Sequence, residues 1–447
     1  MDIVGPPHQT INKNFLVAVG LWPHQTGIFK YVLLFNMLFL TISQGYLQIG
    51  GMIAAWEDTD VFMESIPPVL VDFVCGAKVI NFIGNSRKMK KLLLILEEDW
   101  NKFKVRRDES EIMDRYGMMG QRLTLSYAAC LYGSMSPFMI LPAVPIFMDL
   151  FGSSNVTHAK QLMFRVDFLM DAQKYYYPLL IHSYFGTMAY ITTVVAIDTM
   201  FMIFVQHACS ALAILGYQLE HLTDYANGLD IDVYPQKNDD ISYRNMAHCI
   251  VQHNHALEYC NLIESANFVS FFFQLGFNMI CISFTGFQAS IRMDRPDVAF
   301  RYAAFTLTQL FLLFLQSYPA QMLVDHSSQV SEYVHNCGWY QTSLRTRKLV
   351  NLMILRSRIP CELTAGKFYV LNLVNFSAVS TNISVKNSYF INNTFSSHFN
   401  VIQGRSHIDV VLNYAHIREI IEEPLRQVIA LISTRYLLFK RLSRKIH

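Results

Sequence analysis

The stretch Pro178–Leu215, PLLIHSYFGTMAYITTVVAIDTMFMIFVQHACSALAIL, contains one acidic residue, Asp198, and neither lysine nor arginine. A helix needs ~20 mostly apolar residues to cross the hydrocarbon core of a bilayer. This stretch therefore predicts a membrane-spanning helix, and it is far longer than a bilayer requires. We expect its second half, around FVQHACSALAILGYQLEHL, to project into water or to pack on neighbouring helices.

Five further apolar runs have the length of a span, and the composition agrees with them. The chain is 52% apolar and only 16% charged, whereas soluble domains carry about 25% charged residues. With a net charge of +2, the chain offers no electrostatic field to nucleic acid, so we expect no nucleic-acid partner. The runs are Ile28–Ile49, Val61–Ile83, Leu123–Phe147, Phe268–Phe287 and Val298–Leu323.

Lysine and arginine are distributed unequally between the two sides of these six spans. In the loops before Pro360, one side receives 19 of them, ten within residues 85–122, and the other side receives 6. Cytosolic loops carry the excess of positive charge, so residues 1–27 are predicted to be a cytosolic N-terminus without a cleaved signal peptide. The same topology places the sequon at Asn155 outside, where it is a candidate glycosylation site.

The polar connections between spans predict helical extensions on the cytosolic side. MKKLLLILEEDWNKF, between Asn85 and Gln121, has apolar residues at helical spacing. After a turn-rich loop, the segment from SYRNMAHC to QLGF reads as one helix that runs into the fifth span. His248, Cys249, His253, His255 and Cys260 crowd that helix, but we expect a packed helix face and no metal. No cofactor is predicted.

Several motifs occur in a characteristic order: GLWP at Gly20–Pro23, FFFQLGF at Phe271–Phe277, QSYPAQMLVDHSSQVSEYVHNCGWY, and RTRKLVNLMILRSRIPCELTAGKFYVLNLVNFSAV at Arg345–Val379. With these motifs the chain resembles an insect odorant receptor from Val17 to about Val379. The fold class that this implies is an all-α membrane protein, a seven-transmembrane helical bundle inverted relative to G-protein-coupled receptors.

The resemblance also implies a function and a domain organisation. Such receptors are odorant-gated, non-selective cation channels in the dendritic plasma membrane of olfactory sensory neurons, and they assemble with a shared co-receptor into a heterotetramer. Residues 28–343 would hold helices 1–6 with their cytosolic extensions, and residues 344–392 an anchor segment and the pore helix. The pore-lining candidates on that helix are Asn375, Phe376 and Val379.

A volatile odorant has few polar atoms, so its site should be a closed apolar cavity with aromatic walls. The outer halves of the second, third, fourth and sixth spans offer suitable side chains. The ligand-binding candidates are Phe73, Tyr132, Met135, Phe138, Met139, Tyr177, Tyr184, Met188, Tyr302 and Phe305.

Asp72, Lys78 and Asp198 lie within predicted spans, where a charge usually faces a cavity or a partner. Asp72 and Lys78 are six residues apart and do not share a helix face. We expect Lys78 to snorkel toward the inner membrane boundary. For Asp72 two roles are equally compatible with the sequence: a structural hydrogen bond, or a position at the rim of the odorant cavity.

The seventh span departs from the family pattern. Its apolar run, Phe368–Val379, is followed by the polar stretch STNISVKNSYFINN, so the seventh helix is predicted to be atypical, and a non-conducting variant is one alternative. The tail, residues 393–447, includes an amphipathic pair over Ile408–Lys445 with a basic end. That tail either lies on an anionic membrane surface or was joined to the receptor by alternative splicing or by a wrongly assigned gene structure.

Other receptor and protein classes fit the sequence less well. A G-protein-coupled receptor needs an extracellular N-terminus, and neither a D-R-Y nor an N-P-x-x-Y pattern follows the expected spans. A gustatory receptor of the same channel superfamily would show a T-Y-x-x-x-x-x-Q-F signature in its last span, which FYVLNLVNF does not supply. No arrangement of nucleophile and base indicates an enzyme, and no internal repeat indicates a transporter.

Overall fold

The computed structural model describes residues 7–145, 162–163, 174–224, 235–236, 240–292, 295–379 and 381. Its helices are α1 (Thr10–Ala18), α2 (Ile28–Ala54), α3 (Thr59–Gly84), α4 (Ser86–Phe103), α5 (Arg107–Ile140), α6 (Tyr176–Glu220), α7 (Ile241–Ile291), α8 (Pro296–Asn336) and α9 (Leu344–Ser357). Short 3-10 helices cover Pro7–Gln9 and Trp339–Gln341. A hairpin of β1 (Thr364–Ala365) and β2 (Tyr369–Val370) follows α9, and residues 373–379 are again helical.

Helix α6 is the centre of the bundle. It contacts every helix from α1 to α5 as well as α7 and α8. Residues 193–210 of this helix are buried without interruption, and Val205, Ala208 and, further on, Leu215 are inaccessible to solvent. A helix segment that is apolar on all sides has to be buried. The second half of the long fourth span therefore packs on its neighbours, whereas its first half exposes Tyr177, Ile181, Phe185 and Met188.

Among the described residues, five helical segments are long and apolar enough to cross a membrane. They are Ile28–Ala54, Val61–Gly84, Tyr176–Glu220, Ile241–Ile291 and Val298–Asn336. The third predicted span, in α5, is not among them because serine, glycine and tyrosine interrupt its apolar residues. Part of that run, together with Asn155 and residues 382–447, lies outside the described residues.

The predicted helical extensions are present. The segment MKKLLLILEEDWNKF belongs to α4, which buries Leu92, Leu93 and Leu96 and exposes Lys91. Helix α7 is continuous over 51 residues, a length of about 75 Å at the usual helical rise. It therefore extends well past a ~30 Å hydrocarbon core. We call the end of the bundle with α1, α4 and α9 the α4 end, and the opposite end the far end.

The hairpin is a departure from the predicted all-α fold. Thr364 pairs with Val370 and Ala365 with Tyr369 in antiparallel register. Gly366 and Lys367 both have positive φ, at 66° and 63°, as in the tight turn whose twist suits two antiparallel strands. The Gly366 amide donates to the carbonyl of Phe268 at 2.9 Å, which ties the turn to α7.

Asp240 links the starts of α7 and α9 at the α4 end. Its Oδ1 caps α7 by accepting from the Tyr243 amide at 2.9 Å and from Ser242 Oγ at 2.7 Å. Its Oδ2 accepts from Ser343 Oγ at 2.6 Å, and Ser343 in turn caps α9. Burial favours the neutral acid, but the hydrogen bonds from Ser343, Tyr243 and Ser242 outweigh it and lower the pKa of Asp240.

We expect Asp240→Ala to lower the free energy of unfolding by about 2 kcal/mol, since helix-capping side chains contribute ~1 kcal/mol each. Because the pKa of Asp240 is depressed in the folded protein, its contribution is present above the unfolded-state pKa and is lost as pH falls through the folded pKa. Thermal unfolding of the detergent-solubilised chain at neutral and acid pH measures both effects. Glu332→Ala, at an exposed site on α8, is the control, and equal losses in both variants would contradict the capping role.

Candidate functional site

Two hydrogen bonds join α5 to α6 at the far end, and each involves at least one predicted cavity residue. Tyr184 Oη donates to the carbonyl of Met139 at 2.6 Å, and the Tyr132 and Thr192 hydroxyls are 2.9 Å apart. Met135 packs against the bundle core. Tyr132, Met135, Met139 and Tyr184 are therefore held along one contiguous α5–α6 wall.

The other predicted cavity residues are more dispersed. Phe73 is 50% exposed and stacks on Phe277 with ring centroids 5.8 Å apart. Tyr177 and Met188 are 54% and 40% exposed on α6. On α8, Tyr302 is buried and Phe305 half-buried, and Phe138 is half-buried on α5. Phe73, Tyr177 and Met188 thus lie on the outside of the single chain.

The predicted pore residues contact their own chain. The Asn375 amide donates to Asn372 Oδ1 at 2.7 Å, and Asn375 Nδ2 donates to the Val370 carbonyl at 2.7 Å. The Phe376 ring lies 5.8 Å from that of Phe314, and Val379 is buried. The exposed face of residues 373–379 carries Val374, Ser377 and Ala378, which the sequence interpretation missed although their i, i+3, i+4 spacing defines one helix face.

A buried polar cluster lies between the far end and the hairpin. Lys78 Nζ contacts Asp198 Oδ1 and donates to Gln274 Oε1 at 2.6 Å. Asp198 Oδ2 accepts from Tyr127 Oη and, at 3.0 Å, from Gln316 Nε2. The expectation that Lys78 snorkels is wrong, because its side chain is only 1% exposed and Asp198 satisfies its charge inside the bundle. We call these five residues the polar node.

A separate small cavity lies at the α4 end, where Pro7–Gln9 meets α4, α5 and α6. Its volume is about 30 Å³, and its walls include His8, Trp100, Tyr116 and Gln206. This space holds about two water molecules. It is too small for a volatile organic ligand, so it does not compete with the far-end residues as a candidate odorant cavity.

Comparisons with known proteins agree on one family. A family model described as 7tm Odorant receptor matches residues 58–383. Odorant receptor 13a of Drosophila melanogaster is 25% identical over 290 residues, which cover 60% of this chain and 65% of that receptor. Odorant receptor 10a of the same organism is 24% identical over 193 residues, covering 41% and 44%. This chain therefore matches less than two thirds of the length of either relative.

A solved structure shares the architecture. The insect olfactory receptor OR5 from Machilis hrabei in complex with eugenol superposes with a TM-score of 0.67 at 14% sequence identity. The superposition covers 86% of this chain and 97% of that receptor. At this identity the match concerns the fold alone. Because the family model spans most of the sequence and the solved fold agrees with it, this chain is a member of the insect 7tm odorant receptor family.

Proposed function

We propose that this chain is the tuning subunit of an odorant-gated, non-selective cation channel formed with the shared co-receptor. The observation that supports this most directly is the α5–α6 wall at the far end. There Tyr132, Met135, Met139 and Tyr184 offer aromatic and polarizable surface with two hydroxyl groups. Such a wall suits a small ligand that is mostly apolar and has one hydrogen-bonding group.

We place the α4 end in the cytosol of olfactory sensory neurons and the far end outside. The support is the excess of lysine and arginine on the α4 side. In this orientation α4, α9 and the inner parts of α6, α7 and α8 form a cytosolic body that would anchor the subunits to one another. The far-end wall then faces the side from which a volatile ligand arrives.

We further propose that the helix beginning at residue 373 lines the pore. In an assembly around a central axis, the face that its own chain leaves exposed is free to meet the axis, so Val374, Ser377 and Ala378 join the pore-facing candidates. Asn375, Phe376 and Val379 remain predicted pore residues. The alternative of a non-conducting variant concerns the polar stretch after Val379 and is decided by current measurements.

The test is electrophysiological. We expect cells that express this chain with the co-receptor to give odorant-evoked cation currents with members of a panel of volatile alcohols, esters and phenols. The co-receptor alone should not give these currents. An epitope at residue 1 should be inaccessible in intact cells. Absence of current from a surface-expressed complex would favour the non-conducting variant, and epitope labelling would overturn the orientation.

The cavity is tested by a conservative substitution. Tyr132→Phe removes one hydroxyl from the α5–α6 wall, and we expect it to change the odorant concentration for half-maximal current by roughly three- to tenfold, the equivalent of one hydrogen bond. Tyr31→Phe, at an exposed site on α2, is the control. Equal sensitivity in the two variants would remove Tyr132 from the site.

A further inference from the structure

Five helices each contribute one side chain to the polar node. They are α3 (Lys78), α5 (Tyr127), α6 (Asp198), α7 (Gln274) and α8 (Gln316). We propose that the polar node couples occupancy of the odorant cavity to the start of the seventh helix, with Gln274 and Gln316 as positioning residues. This inference rests on the proposed function and adds the route by which the far-end site acts on the gate.

The node lies on the α4-end side of the predicted cavity residues. On α3, Lys78 is five residues beyond Phe73, and on α5, Tyr127 is five residues before Tyr132. These two helices run in opposite directions, so both displacements point toward the α4 end and amount to about 7–8 Å. Asp198 and Gln316 are displaced the same way from Met188 and Phe305 on α6 and α8. On all four helices the node therefore lies on the α4-end side of the predicted cavity residues.

The same two helices that bring glutamines to the node also hold the seventh helix. On α7, Gln274 is six residues from Phe268, whose carbonyl accepts from the Gly366 amide at 2.9 Å. On α8, Gln316 is five residues before Gln321, whose Oε1 accepts from the Leu373 amide at 3.2 Å. Both steps again point toward the α4 end. The node therefore lies between the cavity region and the two contacts that position the hairpin and the first turn of the seventh helix.

Electrostatics makes the node resist separation of the helices. Asp198 is 2% exposed and receives contacts from three donors. In a low-dielectric interior, a partner that withdraws leaves a buried charge or donor unsatisfied. A displacement of α3 or α5 by a ligand is then transmitted to α7 and α8, because breaking these contacts costs more than moving the helices together.

Helix α8 contains a proline on this route, at a position where the helix can bend. Pro319 lies within the helix, between Gln316 and Gln321. A proline removes one backbone hydrogen bond and is a common site of kinking. A change at Gln316 can therefore alter the direction of the segment that carries Gln321 without unfolding either half of the helix.

The experiment separates coupling from stability by comparing buried glutamines of similar exposure. Gln316→Leu removes a neutral member of the node and leaves the Lys78–Asp198 pair in place. Gln206→Leu is the matched control, since Gln206 is equally buried on α6 but lies outside the node. Each variant is expressed with the co-receptor. Surface amount, standing current, maximal current and half-maximal concentration are measured with the panel member, eugenol included, that gives the largest wild-type current.

We expect Gln316→Leu to reach the surface at wild-type level but to shift the half-maximal concentration or the ratio of evoked to standing current by about tenfold, a typical coupling factor. Gln206→Leu should leave both unchanged. In the double variant Gln316→Leu with Gln321→Ala, the fold-change in half-maximal concentration or current ratio should be smaller than the product of the two single fold-changes. The reason is that both residues lie on one route.

Three outcomes would overturn the proposal. They are equal shifts in Gln316→Leu and Gln206→Leu, a change in surface amount alone, and fully multiplicative effects of Gln316→Leu and Gln321→Ala. A wild-type complex that reaches the surface but gives no evoked current would instead refute the proposed channel function, and the coupling would fall with it. These results are distinguishable because the wild-type recording is made first.

Discussion

Lys78→Met is expected to remove most of the protein from the cell surface. The substitution keeps the length of the side chain but leaves the Asp198 carboxylate, 2% exposed, without its counter-ion. Breaking a buried ion pair by removing one partner costs about 3–5 kcal/mol. That is a large share of the ~5–15 kcal/mol that stabilises a folded protein. Surface biotinylation and size-exclusion chromatography of the solubilised protein measure the loss.

A second substitution separates charge from packing in this result. Lys78→Met with Asp198→Asn removes both charges and keeps an acceptor oxygen for Tyr127 or Gln316, so most of the surface expression should return. Lys91→Met, at an exposed site on α4, should behave like wild type. If Lys78→Met alone matched Lys91→Met, the pair would not be needed for folding. If the double variant were no better than Lys78→Met, shape rather than charge would explain the loss.

Five of the six predicted spans and the helical extensions were predictable because hydropathy and helical periodicity are local properties of the chain. The run Pro178–Leu215 predicted α6, and the apolar spacing of MKKLLLILEEDWNKF predicted α4. The hairpin was not predictable in this way. Its strands are two residues long, too short to show alternation, and only the glycine in LTAGKFYV signals the turn at Gly366.

The polar node depends on contacts between residues far apart in sequence. Lys78 and Asp198 are separated by 120 positions, and no local pattern indicates that they meet. Taken alone, Lys78 near the inner end of a span suggested snorkelling, the usual behaviour of a lysine at a membrane boundary. Lys78 is buried instead because Asp198 on another helix provides a counter-ion inside the bundle, and this ion pair replaces contact with water.

The candidate cavity could be predicted as a set of residue types but not as a surface. Aromatic and methionine residues on the far-end halves of the helices suit cavity walls and lipid contacts equally, and only the neighbouring helix decides between them. Tyr184 meets the backbone of Met139, whereas Phe73 is turned toward α7 and stacks on Phe277. Helical periodicity gives the face of a residue, and packing angles between helices decide what that face meets.

Glu264→Ala is expected to release the hairpin from α7 and, under the proposed channel function, to abolish most of the odorant-evoked current. Glu264 Oε2 accepts from the Thr364 amide at 2.8 Å, and Oε1 accepts from the Thr364 hydroxyl. Hydrogen bonds to a charged group contribute about 1.5–3 kcal/mol each. Without them, the remaining ties are the Gly366–Phe268 hydrogen bond and ring contacts such as Phe272–Phe368. Amide hydrogen exchange of residues 361–372 should accelerate by at least roughly tenfold.

The hairpin leads directly into the helix that begins at residue 373, which we propose lines the pore. Its release should therefore separate gating from assembly. Surface amount in Glu264→Ala should stay within about twofold of wild type, since the loss is confined to one local unit of structure. Maximal current should fall. Glu264→Gln keeps one acceptor and should be intermediate in exchange rate and current. Glu258→Ala, at an exposed site on the same helix, should leave exchange and current unchanged.

Slow exchange at Thr364 in Glu264→Ala would show that the buried neighbours Leu363 and Ala365 hold the hairpin without the carboxylate. Lost current would then need a cause other than hairpin release.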